Sequence, residues 1–300
     1  MLIDVTAEVI SNTRLSSAYN VIALNAPEIA ANTLPGQFVM VKPARGIDPM
    51  LRRPFSVFEV LRDKGGRATG LSLLNKRVGV GTGLLYEAQP GDRIGCLGPL
   101  GRPFVPVDPP SEAWMIAGGV GLAPFATLAD ALVVRKTPMT LFYGARSAAD
   151  LYYADRFEQM GARLALTTED GTRGEAGRIT GPLERALASR PADQPVTIYA
   201  CGPTPMMRAV AALGARFHRP VFVSLEPVMG CGMGGCYSCV VKVHRAPGTQ
   251  HQAPSSQHPP SPPATAGQAP APSTHFVRSC LDGPVFNAAA LDWNALPDGH

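Results

Sequence analysis

Residues 230–239 read GCGMGGCYSC, which sets Cys231, Cys236 and Cys239 among glycines. The next cysteine along the chain is Cys280, beyond a long proline-rich run. The spacing C-x4-C-x2-C with one remote cysteine is that of plant-type [2Fe–2S] sites. Reach is the physical reason: a compact loop aims three thiolates at one small cluster, and a distant segment supplies the fourth. Glycines 230, 232, 234 and 235 let such a loop wrap closely. They also leave N–H groups free to face the sulfurs, and those hydrogen bonds help set a reduction potential. A four-cysteine zinc site is the alternative. Zinc motifs usually present two CxxC-like pairs, and only Cys236 and Cys239 form one here.

A second candidate site lies in RRPFSV, residues 52–57. Arg53 carries a directional fork suited to a pyrophosphate. Phe55 offers an apolar face, and the Ser56 hydroxyl suits a flavin ring nitrogen. The string resembles the RxYS-type FAD signature of the ferredoxin reductase superfamily; an Arg-Pro-Phe edge strand without ligand is the alternative. GVGTGLL follows at 79–85, where Gly81, Thr82 and Gly83 open a short helix whose N–H groups would hold the FAD diphosphate beside Arg53. The resemblance adds Pro54 and the run Leu74, Asn75, Lys76 to the flavin site. Relatives carry an aromatic residue near position 75, so Asn75 departs from that pattern.

Two further strings suit a nucleotide. AGGVGLAPF, 117–125, follows a strand and opens a helix. Gly119 and Gly121 allow close approach of a phosphate, and Pro124 suits the first helical turn. Pro124 takes the place of the last glycine of GxGxxG, and a tight turn with no ligand is the alternative. YACGPTPMM, 199–207, ends another strand and opens another helix. In the superfamily that element lies beside the nicotinamide, which implies Cys201, Gly202 and Pro203 near the hydride path; a lone cysteine is otherwise a core residue. In FYGARSAADL, Arg146 would favour a 2′-phosphate and Asp150 a ribose hydroxyl. The expected nucleotide is NADH. No Ser–His–Asp set or HExxH motif competes, and no acid–base or nucleophilic residue is assigned.

The elements that must position these residues change rhythm along the chain. Short apolar runs bounded by Pro, Gly and Asn fill the first hundred residues and predict an antiparallel β-barrel, with one short helix near Thr82–Glu87. From about Pro109, strands alternate with helices: 113–119, 123–136, 139–145, 151–160, 163–169, 181–190, 196–202, 205–217 and 221–226. That alternation predicts a doubly wound parallel sheet. The expected fold class is multidomain β and α/β: a barrel at 1–107, a nucleotide domain at 108–224, and a small C-terminal [2Fe–2S] module at 225–300. Within the module, about 245–275 is rich in Pro, Ser, Ala, Gln and Gly, and is expected to be a disordered, looped-out insertion.

Composition narrows the function classes. The chain has 300 residues, 45% of them hydrophobic, and a net charge of +4. No Lys/Arg-rich run points to nucleic acid. No apolar stretch approaches the roughly 18 residues of a membrane span, and the N-terminus lacks a signal-peptide core. Six cysteines without an export signal fit a reducing, cytoplasmic setting better than a disulfide scaffold.

Taken together, SLEPVMGCGMGGCYSCVVKV and VRSCLDGPVF, with RRPFSV, GTGLL, GPLGRPF, AGGVGLAPF and CGPTPMM in that order, resemble the electron-transfer subunits of dihydroorotate dehydrogenase B. The similarity covers nearly all of the chain except about 245–275. It implies FAD in the barrel, NAD(H) on the second domain, and a [2Fe–2S] cluster on Cys231, Cys236, Cys239 and Cys280. It also implies a separate FMN-containing dihydroorotate dehydrogenase catalytic subunit, paired in a heterotetramer. A related flavin and iron–sulfur reductase serving ferredoxin is the alternative. Relatives keep the fourth cysteine much closer to the third. Loop-closure entropy grows only logarithmically, so about 30 extra residues add roughly 1 kcal/mol and leave ligation by Cys280 feasible.

Overall fold

The computed structural model describes residues 2–43, 49–244 and 274–298. The expected insertion at about 245–275 lies almost wholly outside them.

Seven antiparallel strands form the first layer. They are β1 (Ile3–Arg14), β2 (Tyr19–Asn25), β3 (Phe38–Lys42), β4 (Arg53–Ser56), β5 (Glu59–Arg62), β6 (Ala68–Lys76) and β7 (Arg93–Leu100), with helices α1 (Pro27–Ala31) and α2 (Val80–Glu87) between them. Their order in the sheet is β4-β3-β7-β1-β2-β6-β5. The two edge strands are joined by Val57 and Phe58 alone, so the sheet must curl until its edges meet. Val57 N–H donates to Gln37 O at 3.0 Å and Phe58 N–H to Ser72 O at 2.9 Å across that seam. Inside lie Ile22, Leu24, Val39, Val41, Leu71, Leu73 and Ile94, each less than 2% exposed. β1 is the longest strand and carries Ile3, Ala7 and Val9 inward at even spacing.

An asparagine ladder ties α2 to this wall. Asn75 Nδ2 donates to Asn20 Oδ1 at 2.7 Å, and Asn20 Nδ2 donates to Asn12 Oδ1 at 2.6 Å. Asn12 Nδ2 in turn reaches the Tyr86 and Ala88 carbonyls at 3.0 and 2.8 Å, satisfying the otherwise unpaired end of the helix.

The second layer is an α/β sandwich: β8 (Glu112–Gly118), α3 (Ala123–Arg135), β9 (Met139–Ala145), α4 (Ala154–Gln159), β10 (Arg163–Thr168), β11 (Glu175–Ala176), α5 (Thr180–Ser189), β12 (Val196–Cys201), α6 (Thr204–Arg216) and β13 (Val221–Ser224). Leu122, Phe125, Leu128 and Phe157 cover one face of the sheet, and Leu183, Leu187, Met207 and Val210 the other. α4 is shorter than the helical spacing of 151–160 predicts. Tyr153 has φ +58°, a conformation that ends a helix, and 151–153 pack against the barrel instead. The Tyr152 ring lies 4.8 Å from Tyr19, and the Tyr153 ring 5.0 Å from Phe58. Val21, Phe58 and Leu74 of the barrel therefore share one apolar core with Leu122, Phe125 and Leu151.

The amino ends of these strands are tied by a buried carboxylate. Glu112 accepts from Thr140 Oγ1 at 2.7 Å and from Arg163 and Arg190 at 2.5 Å each. Burial alone would push its pKa up, but those three donors outweigh it and bring it down to about 2.

The last segments are β14 (Val240–His244), β15 (Thr274–Arg278), α7 (Ser279–Asp282) and β16 (Val285–Asn287). β16 adds antiparallel to β13, giving the order β11-β10-β9-β8-β12-β13-β16. The sheet expected to be parallel throughout thus ends in one antiparallel edge. Val241, Val243, Phe286 and Leu291 share a core with Trp114 and Ile198, because a module this small has too little apolar surface for a core of its own. Among the described residues no helix is long and apolar enough to cross a membrane.

Candidate functional site

The four cysteines of the C-terminal segment come together as two pairs. Cys231, half-buried, faces the exposed Cys236, and their thiols interact directly. Cys239 and Cys280 are 2% and 1% exposed and form the second pair. Gly232 and Met233, just past Cys231, line the same hollow as Cys280, so the pairs adjoin. β14 and β15 bring Cys280 back: Val240 pairs with Arg278, and Ser279 N–H donates to Cys239 O at 2.9 Å. Gly232 has φ +72°, and a side chain there would strike Met40 of the barrel. The loop therefore lies flat on β3 and β7, over Phe38, Met40, Leu97 and Leu100. Arg278 Nη1 donates to Gly234 O at 2.9 Å and sits 5.4 Å from the Tyr237 ring, pinning the outer turn.

Electrostatics separate the two pairs. The Ser238 hydroxyl, then its N–H, then Cys231 pull the Cys236 thiol down to about 6. Burial, then the neighbouring Cys239 thiol, push Cys280 up to about 12. Among the described residues, no three His, Cys, Asp or Glu side chains gather tightly enough for a single ion. Two adjoining thiol pairs suit a two-iron cluster, in which each iron takes two thiolates.

At the flavin candidate, Arg53 stands beside the first turn of α2. A methyl group on Gly81 would lie 3.4 Å from Arg53 Cγ and 3.5 Å from its Nε. The Arg53 fork is partly spent on its own loop, donating to Leu51 O at 2.9 Å. Thr82 Oγ1 accepts from Val78 and Gly79 N–H at 2.9 and 3.0 Å and so shapes the turn. First-turn N–H groups of a helix have no carbonyl partner within it. Together with the arginine they are the groups that would hold an anion, bordered by Pro54, Phe55 and Ser56 of the half-buried edge strand β4. Asn75 is fully buried in the ladder, with Oδ1 unpartnered. Leu74 belongs to the shared core, and Lys76 lies 5.5 Å over the Tyr19 ring.

The nucleotide strings meet where the strand order reverses, between β8 and β12, at the carboxyl ends of both strands. Open α/β sheets bind ligands in that crevice. The two loops touch backbone to backbone: a methyl on Gly121 would stand 2.5 Å from Cys201 C and 2.7 Å from Gly202 N. Gly119 has φ +55° and faces open space, and Pro203 caps α6. Cys201 is fully buried, and burial followed by the charge of Glu226 raises its pKa well above normal. Its Sγ lies 3.8 Å from Glu226 Oε1. Glu226 is open to water yet surrounded by protein, as a group in a cleft is, and that surrounding raises its pKa. Sequence reasoning quoted this glutamate inside SLEPVMG and gave it no role. The available signal was its place two residues past the carboxyl end of a parallel strand.

Comparison with known proteins places these features in two families. Residues 115–212 match the oxidoreductase NAD-binding domain, and residues 226–252 match the iron–sulfur cluster binding domain of dihydroorotate dehydrogenase B. The dihydroorotate dehydrogenase B (NAD(+)) electron transfer subunit of Desulforamulus reducens is 36% identical, over 90% of each chain. The subunit of the same name from Geobacillus kaustophilus is 38% identical over 86% of each. Among solved structures, the NADH-dependent reduced ferredoxin-NADP oxidoreductase, described for flavin-based electron bifurcation, superposes with a TM-score of 0.76 at 26% identity. It covers 97% of this chain and 91% of its own. A ferredoxin NADP+ reductase from Neisseria gonorrhoeae with bound FAD and NADP shares the fold, with a TM-score of 0.59 at 19% identity, over 72% of this chain and 91% of its own.

Proposed function

We propose, for a chain that belongs to the family of dihydroorotate dehydrogenase B (NAD+) electron transfer subunits, a three-station relay whose sites are the crevice, the turn where α2 meets Arg53 and the thiol pairs. The chain is an oxidoreductase subunit that transfers electrons. The observation carrying the assignment of stations is their order in space. Leu122, at the end of the crevice loop, packs with Val21, Phe58 and Leu74 of the barrel, and the cysteine loop rests on the barrel's other strands, β3 and β7.

In this reading NAD(H) sits on Gly119, Gly121 and Cys201–Pro203, FAD on Arg53–Ser56 and Gly81–Gly83, and a [2Fe–2S] cluster on Cys231, Cys236, Cys239 and Cys280. When bound, the flavin exchanges a hydride with the nicotinamide and passes electrons singly, and the cluster carries one at a time. The protein's part is placement and electrostatics. Arg53 and the α2 N-terminus neutralise the diphosphate. The close contact of Gly121 with Cys201 sets the depth of the crevice. Glu226, its pKa raised by its surroundings, stands against Cys201 where a positive nicotinamide ring would rest. The shared apolar core keeps the barrel and the nucleotide sheet in one register. The division into 1–107, 108–224 and 225–300 follows these stations, with β16 lending an edge strand across the last boundary.

The partner reading rests on the surface beside the cysteine loop, where Gly232, Met233 and Cys280 line a hollow. Leu2, Met233 and Leu281 are 51, 53 and 40% exposed, and they rim this hollow of about 310 Å³ against Pro99–Gly101 and Cys280. An apolar rim at the outlet of the relay suits a protein acceptor. The proposed acceptor is an FMN-containing dihydroorotate dehydrogenase catalytic subunit, assembled as a heterotetramer in the cytoplasm. Loaded protein plus that subunit is expected to reduce orotate with NADH, and neither alone is. A loaded protein that reduces ferredoxin with NADH and gives no orotate reduction with the subunit would favour the reductase reading, which the likeness to the ferredoxin-NADP oxidoreductase motivates.

A further inference from the structure

The two thiol pairs differ in what donates to them. Ser238 Oγ accepts the Gly230 N–H at 2.8 Å and lies 3.2 Å from Cys236 Sγ. A serine hydroxyl has one proton and two lone pairs. Gly230 takes a lone pair, and the proton is left to face Cys236. A thiolate ligand has no proton to donate, so ligation makes the bond run from Ser238 O–H to Cys236 sulfur. Such a charge-assisted bond is stronger than a neutral one. The second member of this pair is similarly served, by Met233 N–H to Cys231 Sγ at 3.3 Å. Cys239 and Cys280, by contrast, are packed among Phe38, Met40, Leu97, Leu100 and Met229, and among the described residues no hydroxyl serves them; their donor is the Gly234 N–H on Cys280.

Added negative charge is therefore stabilised better on the outer pair than on the inner one. We propose that Ser238, acting through Cys236, raises the reduction potential of the cluster and draws the incoming electron to the iron held by Cys231 and Cys236. This rests on the reading that the four thiols hold a [2Fe–2S] cluster. One electron enters from the reduced flavin and one ferric iron becomes ferrous. No bond breaks, and the hydroxyl proton stays on Ser238. The consequence is positional: the electron waits on the pair that holds the exposed Cys236, on the same loop as the exposed Met233 and Tyr237. Ser238 is a positioning residue whose effect is on potential, because its partner is the ligand sulfur.

The test is a potentiometric titration of full-length, cofactor-loaded protein, followed by the electron paramagnetic resonance signal of the reduced cluster. At the wild-type midpoint, Ser238→Ala is expected to lower the reduced-to-oxidised ratio about threefold to tenfold, tenfold being about 59 mV for a one-electron couple. Ser238→Thr, which keeps the hydroxyl, is expected to stay near wild type. Pulsed hyperfine spectra of the reduced wild-type cluster in light and heavy water should show an exchangeable proton that Ser238→Ala lacks. A fully loaded Ser238→Ala protein at the wild-type potential overturns the proposal, as does a Ser238→Thr protein that shifts with it. If Ser238→Ala fails to assemble a cluster, the wild-type spectra decide: no exchangeable hydroxyl proton coupled to the cluster overturns it equally. A wild-type protein without any [2Fe–2S] signal would instead defeat the underlying reading of the thiols.

Discussion

Adding one methyl group at Gly121 probes the nucleotide crevice directly. The Gly121→Ala methyl would stand 2.5 Å from Cys201 C and 2.7 Å from Gly202 N. Carbon atoms settle at about 3.5–4.0 Å, so the β8 and β12 loops must separate by roughly 1 Å. The obstacle is backbone at the end of a buried strand, so it cannot swing aside as a side chain does. A displacement of that size between reacting groups lowers turnover by about 10²-fold, or roughly 2.7 kcal/mol of transition-state stabilisation. The assay is NADH-driven ferricyanide reduction by the loaded protein, with stopped-flow reduction of the flavin beside it. Expected are a fall of about 10²-fold in kcat/KM for NADH, unchanged flavin and cluster absorbance, and normal reduction by dithionite. Gly119→Ala serves as comparator. Its methyl would meet nothing within 4 Å, and φ +55° adds only about 1 kcal/mol of backbone strain, so its loss should be much smaller. A Gly121→Ala protein within twofold of wild type would refute the claim that this contact sets the crevice.

Other perturbations test other links. Cys280→Ser should abolish the cluster's visible absorbance and leave flavin absorbance and NADH–ferricyanide activity in place, because Cys280 serves the thiol pairs and not the crevice; a retained cluster spectrum would exclude it as a ligand. Glu112→Gln should lower stability by about 2 kcal/mol at pH 7, read by urea unfolding. The folded carboxyl titrates near pH 2 against an ordinary 4.5, so its contribution is complete above about pH 4.5 and disappears as pH falls toward 2. The gap between wild type and variant should close over that window, and a gap that stays constant from pH 7 to 2 would contradict the assignment. His244 and Thr274 are paired neighbours at the ends of β14 and β15, so a two-residue Asn-Gly turn in place of 245–273 meets no gap to span. That variant should assemble a full cluster with wild-type absorbance per flavin, and a product with flavin but no cluster absorbance would show that the segment contributes to the site.

Legibility in the sequence followed the range of the interaction behind each feature. The barrel strands, the alternating β/α rhythm and helix starts near Thr82, Ala123 and Pro205, which the structure sets at Val80, Ala123 and Thr204, could be read locally, because glycine, proline and periodic apolar residues act within a few positions. β1 escapes a local reading because its twelve residues, Ile3–Arg14, mix polar and apolar side chains. Its alternation has meaning only once β2 and β7 flank it. α4 was read as too long because the pull of Tyr19 and Phe58 on Tyr152 and Tyr153 comes from another layer. Asn75 appeared as a departure at the flavin, and in the fold it is a rung of a ladder holding α2. Glu226 carried only its place just past a parallel strand, since its neighbour Cys201 is 25 residues away.

By itself, then, the sequence determined the inventory and its order: thiols spaced for a cluster, an arginine ahead of a glycine-opened helix, and two glycine turns at strand ends. Those are properties of short segments, where residue type and spacing limit the backbone directly. Only the tertiary structure decided the partnerships: Cys231 with Cys236, Cys239 with Cys280, Gly121 with Cys201, and β16 with β13. Each joins segments whose meeting depends on how whole layers pack, and packing is set by summed burial over many residues that no local window contains.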